Sequence, residues 1–97
     1  MRKGELSKHS LDHGWPHQVT MLADRCTGEQ HTSIGEFCRG LSLAPRGHTY
    51  VEGGAYHNVY CFAVEVDALA FAARFGGRIV DPATRPRWGK TRRAKAG

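Results

Sequence analysis

Nothing in these 97 residues approaches the run of about 20 apolar residues that a membrane-spanning helix needs. The first residues also lack the apolar core of a secretory signal, so a cytoplasmic protein without membrane contact is expected. Cysteine is scarce. Cys26, Cys38 and Cys61 form an odd set with no Cys-x-x-Cys pair, which argues against a disulfide framework and offers no diagnostic zinc spacing. Acidic residues are missing altogether after Asp81, while Arg85, Arg87, Lys90, Arg92, Arg93 and Lys95 follow. The net charge of +5 is therefore concentrated at one end, and residues 1–81 carry −1. The basicity belongs to a tail, not to a face of the domain.

What is present is one domain's worth of periodic sequence, large enough for a modest core without disulfides or a metal. Residues 1–16 are polar, lack a sustained period and end in Gly14-Trp15-Pro16, so a flexible N-terminal arm is expected, with Trp15 docking on the domain. His17 to Ala23 alternates as a strand, with Val19 and Met21 on one side and Gln18, Thr20 and Leu22 on the other. Thr27-Gly28-Glu29-Gln30 fits a capping box, Ile34, Phe37, Cys38 and Leu41 give one apolar helical stripe, and Gly40 suits a terminator. Pro45-Arg46-Gly47 suits a type I turn, His48 to Glu52 a short strand, and Gly53-Gly54 a two-residue hairpin.

The stretch YHNVYCFAVEVDALAFAARFGG, from Tyr56 to Gly77, reads as a strand running straight into a helix. Asp67 is placed to cap that helix, with Val66 and Phe71 forming a hydrophobic staple. Ala68, Phe71, Ala72 and Phe75 form its core stripe, and Gly76-Gly77 ends it. Arg78 to Val80 supplies a last short strand. The domain thus spans residues 17–81, followed by a basic disordered tail over 82–97.

The order strand–helix–strand–strand–helix–strand predicts an α+β fold: a ferredoxin-like βαββαβ plait with a four-stranded antiparallel sheet and two helices on one face. With Gly53-Gly54 as the turn, Thr49, Val51, Tyr56, Asn58, Tyr60, Phe62 and Val64 share the face expected under the helices. His48, Tyr50, Glu52, Ala55, His57, Val59, Cys61 and Ala63 share the other, expected to be open to water or a partner.

In this topology the third strand and second helix resemble the corresponding part of an RNA-recognition motif. Aligning Phe62 with the last aromatic of the ribonucleoprotein signature puts His57 and Val59 where stacking aromatics belong, so sheet-face RNA binding is not expected. Pro45 to His48, a Pro-Arg-Gly-His turn, and Phe71 to Gly77, a Phe-x-x-Arg-Phe-Gly-Gly helix end, resemble small uncharacterised bacterial single-domain proteins. That resemblance implies a shared domain and no particular activity.

Three groups of residues carry chemistry. His48, His57 and Cys61 fall on one sheet face, with His48 diagonal to the other two, the sharpest metal-ligand constellation in the sequence. Cys26 precedes the first helix, where free N–H groups favour a thiolate, and His31 lies one turn on as a candidate base. The tail cations, with Trp88, could contact phosphates and stack on a base. The catalytic candidates are isolated residues without an oxyanion donor set or a cofactor motif. The expected reading is a small binding or assembly module with no cofactor, homodimeric through its open sheet face or an edge. A nucleic-acid accessory role through the tail and a small ligand-binding or thiol-dependent enzyme are the alternatives.

Overall fold

Gly53 and Gly54 turn the chain back on itself with φ of 62° and 81°, both in the left-handed region that a type I′ turn requires. The turn joins β2 (His48–Glu52) to β3 (Ala55–Phe62). It pairs Glu52 with Ala55, Tyr50 with His57 and His48 with Val59, the register expected from the sequence. The computed structural model describes residues 8–84, and in these the sheet is completed by β1 (His17–Leu22) and β4 (Arg78–Val80). The strand order is β2-β3-β1-β4 and each neighbouring pair is antiparallel. The fold is α+β, with three α-helices among the described residues: α1 (Lys8–Gly14), α2 (Gly28–Cys38) and α3 (Glu65–Phe75).

α2 and α3 cover one face of the sheet. Val19, Met21 and Phe62 from the strands meet Ile34 and Cys38 of α2 and Ala68, Phe71 and Phe75 of α3. Phe71 is fully buried at the centre, with Phe37, Tyr60, Phe62 and Phe75 around it at ring-centroid distances of 5.0–6.4 Å. A phenylalanine buried to this degree stabilises the fold by about 2–3 kcal/mol. Gly76 ends α3 at φ 77°. Gly77 is required for a different reason: a Cβ there would sit 2.5 Å from Val19 Cγ1 and 3.1 Å from Met21 Cγ.

Asp67 does not cap α3, which begins two residues earlier at Glu65 with Val64 as the cap residue. The Asp67 carboxylate is drawn across to the α2–β2 connection, where Oδ2 accepts from the Ser42 N–H at 2.8 Å. Ser42 Oγ in turn accepts from the N–H of the cap residue Val64 at 3.0 Å, which fixes the chain entering the helix to a residue 22 positions away without a side-chain cap on the helix itself. The staple is also absent, because the earlier start carries Val66 out to 64% exposure while Phe71 faces the core. Thr27 caps α2 by position only, its hydroxyl donating to the Asp24 carbonyl at 3.4 Å and not to the helix.

The second sheet face differs most from expectation. Within the stretch read as an arm, residues 8–14 are helical, and α1 lies across the face expected to be open. Leu11, 1% exposed, packs with Ala44, Tyr50, Val59 and Cys61, with Trp15 and Val80 at the margin. Leu11 and Trp15 are four apart, on one side of the helical turn closed by the Trp15 N–H to Leu11 carbonyl bond of 2.9 Å.

Candidate functional site

Under α1 the apolar contact is edged by polar groups. Asp12 Oδ1 lies 2.8 Å from His48 Nε2 and also accepts from Gln18 Nε2 at 2.8 Å. The Gln18 amide nitrogen donates a second time, to the Trp15 carbonyl at 3.1 Å. These two acceptors fix the amide's orientation and leave its buried Oε1 with no partner among the described residues. Thr20 and Tyr50 close the row through a hydroxyl–hydroxyl bond of 2.9 Å. The His48 side chain is 3% exposed, so the His48–Asp12 pair ties α1 to β2.

The same contacts disperse the metal constellation read from the sequence. His48 presents Nε2 to Asp12, His57 stacks on Tyr50 at 4.9 Å and 11°, and Cys61 is fully buried in the apolar cluster under α1. Among the described residues no group of three or more His, Cys, Asp or Glu is arranged to hold a metal ion.

Cys26 and His31 are likewise separated by burial. Cys26 is 5% exposed in the core under α2, its thiol donating to the Leu22 carbonyl at 3.5 Å, whereas His31 is exposed on α2. The other two thiols are also buried. Burial first, and then the negative charge of Asp67, push the Cys38 thiol up to about 11. Burial, reinforced by the neighbouring Cys26 thiol, likewise raises the Tyr60 phenol. Both groups are protonated at neutral pH, which suits packing better than nucleophilic chemistry.

Two surface features remain around β2. The first is its backbone. A two-residue hairpin closes on a hydrogen-bonded pair, and such pairs alternate along the ladder. Glu52, Tyr50 and His48 therefore bond inward to β3, and the N–H and C=O groups of Thr49 and Val51 point away from the sheet at an edge that no other strand pairs among the described residues. The second is a groove of 280 Å³ at the start of the strand, where the Pro45–His48 segment rises off β3. That segment is not the type I turn expected. Ala44 donates to the Cys61 carbonyl and His48 pairs with Val59, so four steps on one strand face two on the other. The two extra residues make a bulge.

Arg85, Arg87, Trp88, Lys90, Arg92, Arg93 and Lys95 lie outside the described residues. Neither the groove nor the α1 clamp was singled out from sequence. Leu11 and Trp15 at helical spacing were the available signal for the clamp. No protein-family model, curated protein or solved structure matches the chain.

Proposed function

We propose that the protein is a non-catalytic assembly module of ferredoxin-like topology that forms a homodimer by pairing β2 with β2 of a second copy. The plait reading draws support from the interleaving of its strands. Counted from the other edge the order is β4-β1-β3-β2, so β3 lies between the strands that flank α2, and β1 between those that flank α3. The non-catalytic reading draws support from the chemistry of the candidates: the thiols are buried, the Cys38 thiol is protonated, and His48 is paired with Asp12.

The observation that carries the assembly reading is the edge of β2, which among the described residues pairs with no other strand. Edge strands are commonly protected by Lys, Pro or brevity. β2 has five residues with no Lys, Arg or Pro among them, and Tyr56 beside it on β3 is 64% exposed. β4, the opposite edge, is three residues long, begins with Arg78 and is followed by Asp81-Pro82. The sheet face opposite α2 and α3 is occupied by α1. Antiparallel β2–β2 pairing would satisfy the outward groups of Thr49 and Val51 on both copies and give a closed two-fold assembly. Sedimentation equilibrium tests this: a dimer that Val51→Pro converts to a folded monomer is expected, and a monomeric wild-type protein at millimolar concentration would end the reading.

A further inference from the structure

The two ends of β2 carry complementary shapes on the side of the sheet that bears α2 and α3. At the C-terminal end Tyr56, the cross-strand partner of Val51, stands 64% exposed. At the N-terminal end the groove opens beside Thr49, whose cross-strand partner is Asn58. Thr49 is exposed and Val51 and Asn58 are half-buried, so neither helix covers this corner of the sheet. Leu43 and Pro45 supply apolar wall to the groove, and no Asp or Glu lines it. The Asn58 side chain is hydrogen-bonded to Tyr60, which satisfies that part of the floor within the chain. Gly47 lies so close over the Val59 carbonyl that a Cβ there would collide with it, so the arch of Pro45–Gly47 is held against β3 and the groove is preformed.

We infer that in the homodimer the Tyr56 ring of each copy packs into the groove of the other. This contact rests on the β2–β2 pairing proposed above and names the side chain and the socket that such pairing brings together. An antiparallel two-fold pairing that bonds Thr49 of one copy to Val51 of the second is centred on Tyr50. Residues directly opposed in an antiparallel ladder share a face, so Asn58 and Thr49 of one copy fall in one row with Val51 and Tyr56 of the other. Between Tyr56 and Thr49 that row crosses one non-hydrogen-bonded and one hydrogen-bonded pair, about 10 Å from Cα to Cα. A tyrosine laid over Val51 spans most of this distance and brings its ring to the mouth of the groove. An apolar ring with a polar tip suits a wall of Leu43 and Pro45 with the Thr49 hydroxyl beside it. The two-fold axis repeats the contact, so each copy gives one ring and one groove.

Isotope-filtered NMR on dimers of one labelled and one unlabelled full chain tests the contact directly. NOEs are expected from the Tyr56 ring of the unlabelled copy to the Thr49 methyl and the Pro45 ring of the labelled one. In sedimentation equilibrium, Tyr56→Ala should raise the dimer dissociation constant about a hundredfold, a factor of about ten for each of the two sockets. Its circular dichroism should match the wild type, because Tyr56 is exposed within one copy. Leu69→Ala, at a residue 51% exposed on the outer side of α3, should leave the dissociation constant unaltered. A dimer with NOEs between the two β2 strands but none from Tyr56 to the groove would overturn the inference and leave the pairing standing. So would equal dissociation constants for Tyr56→Ala and Leu69→Ala. A wild-type chain that stays monomeric at millimolar concentration would overturn both.

Discussion

His48 Nε2 and Asp12 Oδ1 lie 2.8 Å apart and join β2 to a helix 36 residues earlier in the chain. Asp12 is also the acceptor for Gln18, so its removal strips a partner from two buried donors at once. Asp12→Ala should therefore destabilise the protein by about 2–3 kcal/mol in urea unfolding, beyond the contribution of a single hydrogen bond. A loss below about 0.5 kcal/mol would show that α1 is not tied down by this pair.

Proline scanning of β2 should separate its two edges. Val51→Pro removes an N–H that points outward, so the fold should persist while association is lost. Tyr50→Pro removes an N–H bonded to His57 and displaces a side chain that is 1% exposed, so it should unfold the domain. Circular dichroism and sedimentation of the two variants report fold and association separately. Equal unfolding by both would reverse the assigned direction of the hydrogen bonds.

Stability should decline in alkaline solution. The Cys38 thiol is raised from 9.0 to about 11, so the folded state favours its protonated form. That contribution is fully present below about pH 9 and is lost as pH rises towards 11, because the unfolded chain releases the proton first. Tyr60 has the same sign and extends the decline to higher pH. Urea midpoints at pH 7, 9 and 10 should fall in that order, and Cys38→Ala should flatten the change between 9 and 10. A rise in midpoint over this range would refute the protonated assignment.

The two glycines after α3 should respond differently to alanine. Gly77→Ala drives a methyl into Val19 and Met21 and should cost about 1–3 kcal/mol by overpacking. Gly76→Ala meets only the Arg25 guanidinium, at 3.7 Å, and should cost about 1 kcal/mol through its positive φ. Chemical denaturation of both variants checks the order, and a larger loss at Gly76 would contradict it.

The hairpin register and the aromatic core were legible in the sequence because both depend on local regularities. Gly53-Gly54 selects one turn geometry, and parity then assigns every side chain of β2 and β3 to a face. Phe71 and Phe75 are one turn apart, so the stripe of α3 follows from helical geometry wherever the helix begins.

The start of α3 was not legible, since Asp67 turned to a backbone N–H supplied by Ser42, 25 residues away, and no local pattern encodes that competition. α1 was obscured for a related reason. A seven-residue helix gains too little to form by itself, so it owes its existence to the packing of Leu11, and of Trp15 just beyond its end, against Tyr50, Val59 and Cys61 and to the buried partners of Asp12. The groove depends on the arch of Pro45–Gly47 fitting over the Val59 carbonyl, a contact between segments whose spacing in the chain says nothing about their approach. Short-range sterics and side-chain parity thus determined the strands, the hairpin and the core faces from sequence alone. Which polar groups met, which face was covered and where a cavity remained were decided only when distant segments competed for the same hydrogen-bond partners and the same buried space.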